Sequence, residues 1–313
     1  QMKKDLTKLL DLSQQEIFEL LDLADLLKKE QKAGIPHDFP AGKTLAMIFA
    51  KNSTRTRVSF EVGMFQLGGH ALFLSNDVSQ IGRGEPIEDT ARVLSRYCDC
   101  IMIRTYEQEE VENLAKYSTV PVINGLSNQF HPCQVLADLM TIREVKGKLQ
   151  GLKIAYVGDG FNMANSIIVG GIKCGMDVSI ACPSGYEPDH EVIEFAKNAD
   201  GLHFHMGTDP IEAIKDADVV FTDVWSSMGH EEEHKRRLEK FEGYQLNDTL
   251  MAYAKKDAMV QHCLPAHKGE EISAEVFEAH ADEIFDEAEN RLHVQKAVMM
   301  TLMKNNMKAK LAV

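Results

Sequence analysis

Short, unbroken apolar runs alternate along the chain with segments whose apolar residues recur at helical spacing. Residues 44–49, 70–74, 100–103 and 120–123 are such runs and read as strands, with helices between them at 55–67, 87–97 and 107–117. Strands that are apolar throughout are those buried on both faces. The pattern therefore predicts a parallel sheet covered by helices on either side. A leucine-rich segment, 6–29, comes first, with Ile17, Leu20, Leu21, Ala24 and Leu27 at helical spacing. Ser13 followed three residues later by Glu16 is a capping-box pattern. Gly34, Pro36 and Pro40 then break the chain.

A helix at 132–145 follows, with Val135, Leu136, Leu139 and Met140 on one face. After Gly147 and Gly151 the alternation resumes, with strands at 153–157, 178–182, 202–205 and 219–222 and helices at 162–174, 190–198 and 210–215. Further strands are expected at 258–262 and 283–285, and a long final helix at 288–310. The expected class is α/β: two doubly wound parallel-sheet domains joined by interdomain helices, with the C-terminal helix returning to the N-terminal domain. The domain bounds read as 1–146, with the helix at 288–313 packing back on it, and 147–287.

Composition narrows the function classes. A chain of 313 residues exceeds one comfortable core. Lys and Arg number 34 against 48 Asp and Glu, a net charge of −14, so the overall field does not favour nucleic acid. No apolar run approaches the ~20 residues of a membrane helix, and no secretory leader is visible. Gln1 before Met2 reads as an appended residue. The 6 Cys show no Cys-x-x-Cys pairing, so free thiols and a cytoplasmic setting are expected. Cys98/Cys100, His203/His205 and His262/Cys263 resemble metal ligands only superficially and are read as structural; no metal is expected.

Open α/β sheets bind ligands beyond the carboxyl ends of their strands. Lys51-Asn52-Ser53-Thr54-Arg55-Thr56-Arg57 follows the first strand and runs into a helix. Hydroxyls and guanidiniums at a helix N-terminus suit an anion, and arginine there opposes the helix dipole unless an anion is bound. Arg104 follows the strand at 100–103, and His131-Pro132-Cys133-Gln134 opens a helix after the strand at 120–123. Together these make a donor-rich cup for a small phosphorylated substrate with a carbonyl. In the second half, Gly158-Asp159-Gly160 is not completed to a dinucleotide fingerprint, since position 163 is Met. Asp223 and Cys263 follow later strands, and Asp223 offers a carboxylate to an amine.

Ser53-Thr54-Arg55-Thr56-Arg57, His131-Pro132-Cys133-Gln134, Asp223-x-x-x-Ser227-Met228-Gly229 and His262-Cys263-Leu264-Pro265, in that order, resemble the ornithine carbamoyltransferases over essentially the whole chain. The first two motifs are shared with aspartate carbamoyltransferases. The last two, and the tail from Phe285 to His293, are those of the ornithine branch. The resemblance implies transfer of the carbamoyl group from carbamoyl phosphate to the side-chain amine of L-ornithine. The products are L-citrulline and phosphate, a step of arginine biosynthesis. It implies that Ser53, Thr54, Arg55 and Thr56 bind the phosphate with Arg104, and that Thr56, Arg104 and His131 polarise the carbonyl. Gln134 and the backbone carbonyls of Cys263 and Leu264 hold the carbamoyl nitrogen, and Arg291 reaches the same ligand. Asn162, Asp223, Ser227 and Met228 bind ornithine, with Asp223 and Cys263 helping its amine shed a proton. The family's sites lie at subunit interfaces of a homotrimer, with Gln80 matching the residue donated by the neighbour. Where ornithine enzymes commonly carry Asn-Asn after Gly-Asp-Gly, this chain has Phe161-Asn162.

The chemistry agrees. Carbamoyl phosphate is a mixed anhydride that needs positioning and oxyanion stabilisation, so neither metal nor organic cofactor is called for. The attacking amine must be neutral, and amines of this kind have a pKa near ~10.4, which predicts an alkaline rate optimum. The alternatives are a different amine acceptor, putrescine or N-acetylornithine, and a non-catalytic paralogue that binds an anion or amino acid.

Overall fold

The structure, a computed structural model, describes residues 4–200, 203–226 and 231–312. The chain forms two compact units, one of residues 1–140 with 290–313 and one of 141–289. The first holds α1 (Gln14–Ala33), β1 (Thr44–Phe49), α2 (Thr54–Gln66), β2 (His70–Ser75), α3 (Ile87–Tyr97), β3 (Cys100–Arg104), α4 (Gln108–Tyr117), β4 (Val122–Leu126) and the first turns of α5 (Pro132–Lys146). Its sheet is all parallel, in the order β2-β1-β3-β4. Ala46, Ile48, Ile101, Ile103 and Val122 pack with Ala91, Val111 and Leu114 in one core cluster. Leu45, Met47 and Phe49, which alternate with them on β1, are buried as well. The unbroken apolar run has this cause: both faces of β1 are covered.

The leucines before Ser13 are not part of α1. Ser13 Oγ accepts from the Glu16 N–H, and the Glu16 carboxylate accepts from the Ser13 N–H, each at 3.1 Å. This capping box starts the helix at Gln14. Leu6 is extended instead. Its N–H donates to the Val122 carbonyl at 2.9 Å and its carbonyl accepts from Asn124 at 2.8 Å, which covers the outer edge of β4.

The second unit holds β5 (Lys153–Val157), α6 (Asn162–Lys173), β6 (Asp177–Ala181), α7 (His190–Asp200), β7 (Phe204–Gly207), α8 (Pro210–Ile214), β8 (Val219–Thr222), α9 (Glu231–Lys240), α10 (Asp248–Met251), β9 (Met259–His262), α11 (Ala274–Ala279) and the start of α12 (Ala281–Leu311). Its parallel sheet runs β7-β6-β5-β8-β9. Ala155, Val157, Val220, Val260, Phe241 and Ile284 lie in one apolar core cluster. Residues 283–285, expected as a strand, are the first turns of α12. Ile284 is buried and Phe285 is exposed, and a run this short carries no period that separates strand from helix. α9 has no counterpart in the sequence reading, because a helix charged on nearly all sides shows no apolar stripe.

Each sheet has one place where the strand order reverses. In the first unit the chain goes from β1 outward to β2, then returns to β3 on the other side of β1. In the second it goes from β5 to β6 and β7, then returns to β8 beside β5. Such a switch point opens a crevice at the carboxyl ends of the two flanking strands. The segments after β1 and β3, and after β5 and β8, are therefore where ligand groups belong.

Candidate functional site

At the first switch point Ser53 is the N-cap of α2, its Oγ accepting from the Thr56 N–H at 3.2 Å. That bond fixes the first turn and turns Thr56 inward, where it is fully buried. Thr56 Oγ1 accepts from Arg104 Nη1 and from Arg291 Nη2, both at 3.2 Å. Arg291, on α12, also donates from Nη1 to Gln134 Oε1 at 2.8 Å and from Nε to Gln295 Oε1 at 2.9 Å. Gln134 in turn donates to Asp138 Oδ1 at 3.0 Å. Two guanidiniums, a hydroxyl and an amide from β3, α2, α5 and α12 thus meet in one hydrogen-bonded cup.

His131 stands at the entry to α5 and is buried. The loop that delivers it is held from within. Asn124 Nδ2 donates to the Thr7 carbonyl at 2.9 Å and to Gln108 Oε1 at 3.2 Å, Ser127 Oγ donates to the same Gln108 oxygen at 2.5 Å, and the Phe130 N–H donates to Ser127 Oγ at 3.0 Å. Burial, then the positive charges of Arg291, Arg104 and Lys51, hold the His131 imidazole well below its usual range. It is a neutral hydrogen-bonding group among cations.

The α12–α2 seam continues the cup. Gln295 Nε2 donates to Ser59 Oγ at 2.7 Å. At Gly63 an added Cβ would lie 3.2 Å from Lys296 Cγ, so the two helices approach closely there. Lys296, fully buried, donates to Gln66 Oε1 at 2.7 Å and to His37 Nε2 at 3.0 Å, while His37 Nδ1 faces Glu30 at 2.7 Å.

At the second switch point Gly160 lets the segment after β5 pass against Tyr186–Pro188. An added Cβ would fall 2.3–2.4 Å from the backbone of that stretch. Asn162, buried, opens α6 just beyond. Asp223 follows β8. Cys263 Sγ donates to Asp223 Oδ1 at 3.1 Å, and the Val224 N–H donates to the same oxygen at 2.8 Å. Burial raises the Asp223 carboxyl above its usual range, against the lowering effect of those bonds. His262, buried beside Cys263, accepts the Leu264 N–H on Nδ1 at 2.8 Å, so its proton is on Nε2, which donates to Glu271 Oε1 at 2.8 Å. The His262 N–H donates to Glu287 Oε1 at 3.0 Å. Asp159 is ion-paired with Arg237 at 2.6 Å, and Arg237 also donates to the Trp225 carbonyl.

A family model described as the carbamoyl-P binding domain of aspartate/ornithine carbamoyltransferase matches residues 4–144, and one described as the Asp/Orn binding domain of the same family matches 150–302. The chain belongs to the aspartate/ornithine carbamoyltransferase family. It is 57 % identical to the ornithine carbamoyltransferase of Geobacter sulfurreducens over 93 % of this chain and 96 % of that one. Among solved structures, the ornithine carbamoyltransferase of Pyrococcus furiosus is similar with a TM-score of 0.90 at 54 % identity, over 94 % of this chain and 95 % of that one. The anabolic ornithine carbamoyltransferase of Campylobacter jejuni is similar with a TM-score of 0.90 at 45 % identity, over 97 % and 100 % of the two chains.

Of the residues carried over from this family's motifs, the structure joins Thr56, Arg104, Gln134 and Arg291 by hydrogen bonds and sets His131 in their field. Ser53 acts through its cap. Thr54 and Arg55 lie exposed on the first turn of α2. Arg57 does not join them: its guanidinium lies over the Phe73 ring, 3.7 Å from the centroid, and its Nε is 3.5 Å from Glu61. One helical turn separates residues 54 and 57, but 57 faces β2 and 56 faces the core. Gln80, exposed, sits before a short 3-10 turn at Ile81–Arg83, and its carbonyl accepts from Arg83 and Glu85. Asp223 and Cys263 are in contact, and Leu264 follows with a left-handed φ of 59°. Ser227 and Met228 lie outside the described residues.

The sequence reading missed the residues that hold these groups in place. Asp138 behind Gln134 and Gln295 behind Arg291 each sit four residues further along a helix, a spacing that is visible in the chain. Glu271 and Glu287 behind His262 carry no such local signal.

Proposed function

We propose that this chain transfers the carbamoyl group of carbamoyl phosphate to the side-chain amine of L-ornithine, giving L-citrulline and phosphate. The observation that carries the proposal is the buried junction at Thr56 Oγ1, where Arg104 and Arg291 converge beside Gln134 and His131. The names of the relatives supply the acceptor, and the Asp223–Cys263 pair suits a cationic amine.

In this reading Ser53, Thr54, Arg55 and the free N–H groups of α2 take the phosphate, with Arg104. The domain read from the sequence as 1–146 with 288–313 takes carbamoyl phosphate, and the one read as 147–287 takes ornithine. Neutral His131 donates to the carbonyl oxygen as it gains charge, together with Arg104 and Thr56. Gln134 Oε1 has a second lone pair beyond its bond to Arg291, and this accepts from the carbamoyl nitrogen, with the carbonyls of Cys263 and Leu264. Asn162, Asp223, Ser227 and Met228 hold ornithine. Its neutral amine attacks the carbamoyl carbon, the new C–N bond forms, the C–O bond to phosphate breaks, and the amine proton leaves toward the Asp223–Cys263 pair. No covalent enzyme intermediate is involved. The working form is a cytoplasmic homotrimer in which Gln80 completes a neighbour's site.

The test is an acceptor panel with carbamoyl phosphate, scored for ureido product. Turnover is expected with ornithine and not with putrescine or N-acetylornithine. Inactivity on ornithine alongside activity on another amine overturns the acceptor, and ligand binding with no turnover overturns the enzyme.

A further inference from the structure

The loop between β9 and α11 contains a second convergence of ligand-type groups that the reaction above does not use. The Gly269 N–H donates to the Ile272 carbonyl and the Glu270 N–H to the His267 carbonyl, at 2.8 and 2.9 Å, with Gly269 at a left-handed φ of 97° that glycine takes without strain. This turn brings together His267, Glu270 and Glu271. One donor atom from each lies within 4.8 Å of the others.

Glu271 is fully buried. Its Oε1 is committed, accepting from His262 Nε2 and from the His267 N–H, both at 2.8 Å. Its Oε2 is buried with no hydrogen-bond partner, as are Glu270 Oε2 and His267 Nδ1. His267 Nδ1 and Glu270 Oε2 are 3.3 Å apart, and Glu270 Oε1 lies 3.2 Å from His234 Nε2 on α9. Adjacent carboxylates that leave a buried oxygen unsatisfied repel each other and are costly to desolvate. A cation between them removes both costs. One imidazole nitrogen and two carboxylate oxygens form a donor set for a first-row divalent ion, bound at about 2.0–2.2 Å per ligand, and small side-chain rotations close the observed spacing to that.

We propose that His267, Glu270 and Glu271 bind one divalent cation of the manganese or zinc class, which braces the turn behind His262 and Cys263. The link to the functional site runs through Glu271, whose other oxygen fixes the His262 ring. The cation takes no part in the transfer. The competing arrangement is a protonated His267 serving as the positive charge between the two carboxylates, with no metal.

Mn2+ separates these, and it also avoids the Asp223–Cys263 pair, since a hard ion disfavours a thiolate. The experiment titrates Mn2+ into the intact, chelator-treated protein, followed by electron paramagnetic resonance, with thermal melts alongside. The expected result is one saturable site per chain, a rise in Tm with Mn2+, and binding weakened at least tenfold by His267→Ala and by Glu270→Gln but unchanged by Cys263→Ser. Either loop variant suffices if the other fails to fold. Absence of saturable binding overturns the proposal in favour of the imidazolium. Binding that survives the loop variants, or that is lost in Cys263→Ser, overturns it by placing the ion elsewhere. None of these readouts depends on which substrate the protein turns over.

Discussion

The two switch points share a topology and differ in chemistry. Both lie where a parallel sheet reverses its strand order, and both put side chains at the carboxyl ends of the first strand and of the strand that returns beside it. At the first, the groups are guanidiniums, hydroxyls and a neutral imidazole, drawn from Thr56, Arg104, His131, Gln134 and Arg291 across most of the chain. At the second, they are the Asn162 amide after β5 and the Asp223 carboxylate after β8, with a thiol added from β9, the next strand out, where Thr222 and His262 are in register just before Asp223 and Cys263. The donor-rich end fits an anion and the acceptor-rich end an amine. The scaffold supplies the crevice, and the few residues after each strand decide what enters it.

The largest expected effect comes from emptying the donor-rich end. Arg104→Leu removes a charged donor from the position where, in the proposed reaction, oxyanion charge develops, and single donors of this kind are worth about 10²–10³ in rate. Steady-state kinetics should show kcat falling by that factor with the KM for ornithine little changed. If only the ornithine KM moves, the assignment of the two ends is reversed. The counterpart is Asp223→Asn, expected to lower kcat/KM for ornithine about a hundredfold, on the scale of a lost proton acceptor. Binding of carbamoyl phosphate, measured by calorimetry, should be unaffected. A matching loss of carbamoyl phosphate affinity would erase the division of labour.

A smaller effect tests how the cup is held. Gln295 touches Arg291 and Ser59, so Gln295→Leu keeps every proposed ligand residue and removes one of the bonds that hold the Arg291 side chain. One bond to a charged group is worth about 1.5–3 kcal/mol, and the KM for carbamoyl phosphate should rise about tenfold or somewhat more while that for ornithine does not. Equal rises in both would make Gln295 a purely structural residue. This contrast also marks what could be read from sequence. The strands were legible because burial on both faces leaves unbroken apolar runs, and the anion cup because Ser53–Thr56 puts hydroxyls and a cation where a helix starts. The partners of those groups were not, except at i to i+4 along one helix. His262 and Glu271 are joined only by a folded turn, and α9 has no apolar stripe to announce it. Arg57 shows the converse: a sequence places it one turn from Thr54, but only the packing of α2 on β2 puts its guanidinium over Phe73.

The smallest effect on catalysis, and the one that probes the seam behind the cup, concerns Lys296. Burial pushes its amine down from 10.5 to about 8, opposed by the Glu30 carboxylate beyond His37. Below about pH 8 the amine is charged in both folded and unfolded chains, so the cost of burying the charge is fully present. Between about 8 and 10.5 the folded protein holds fewer protons on this group than the unfolded chain, and stability rises with pH. Above that window the cost is gone. Lys296→Met, of similar length and without charge, lacks this dependence. Denaturant melts followed by circular dichroism should therefore show the wild type gaining on the variant through that window, by at most about 1.4 kcal/mol per pH unit, whatever the constant offset from the lost bonds to Gln66 and His37. Parallel pH profiles for the two proteins would mean that the amine stays charged throughout, held by Glu30 through His37. The α2–α12 seam would then carry a permanent cation, like the cup it supports.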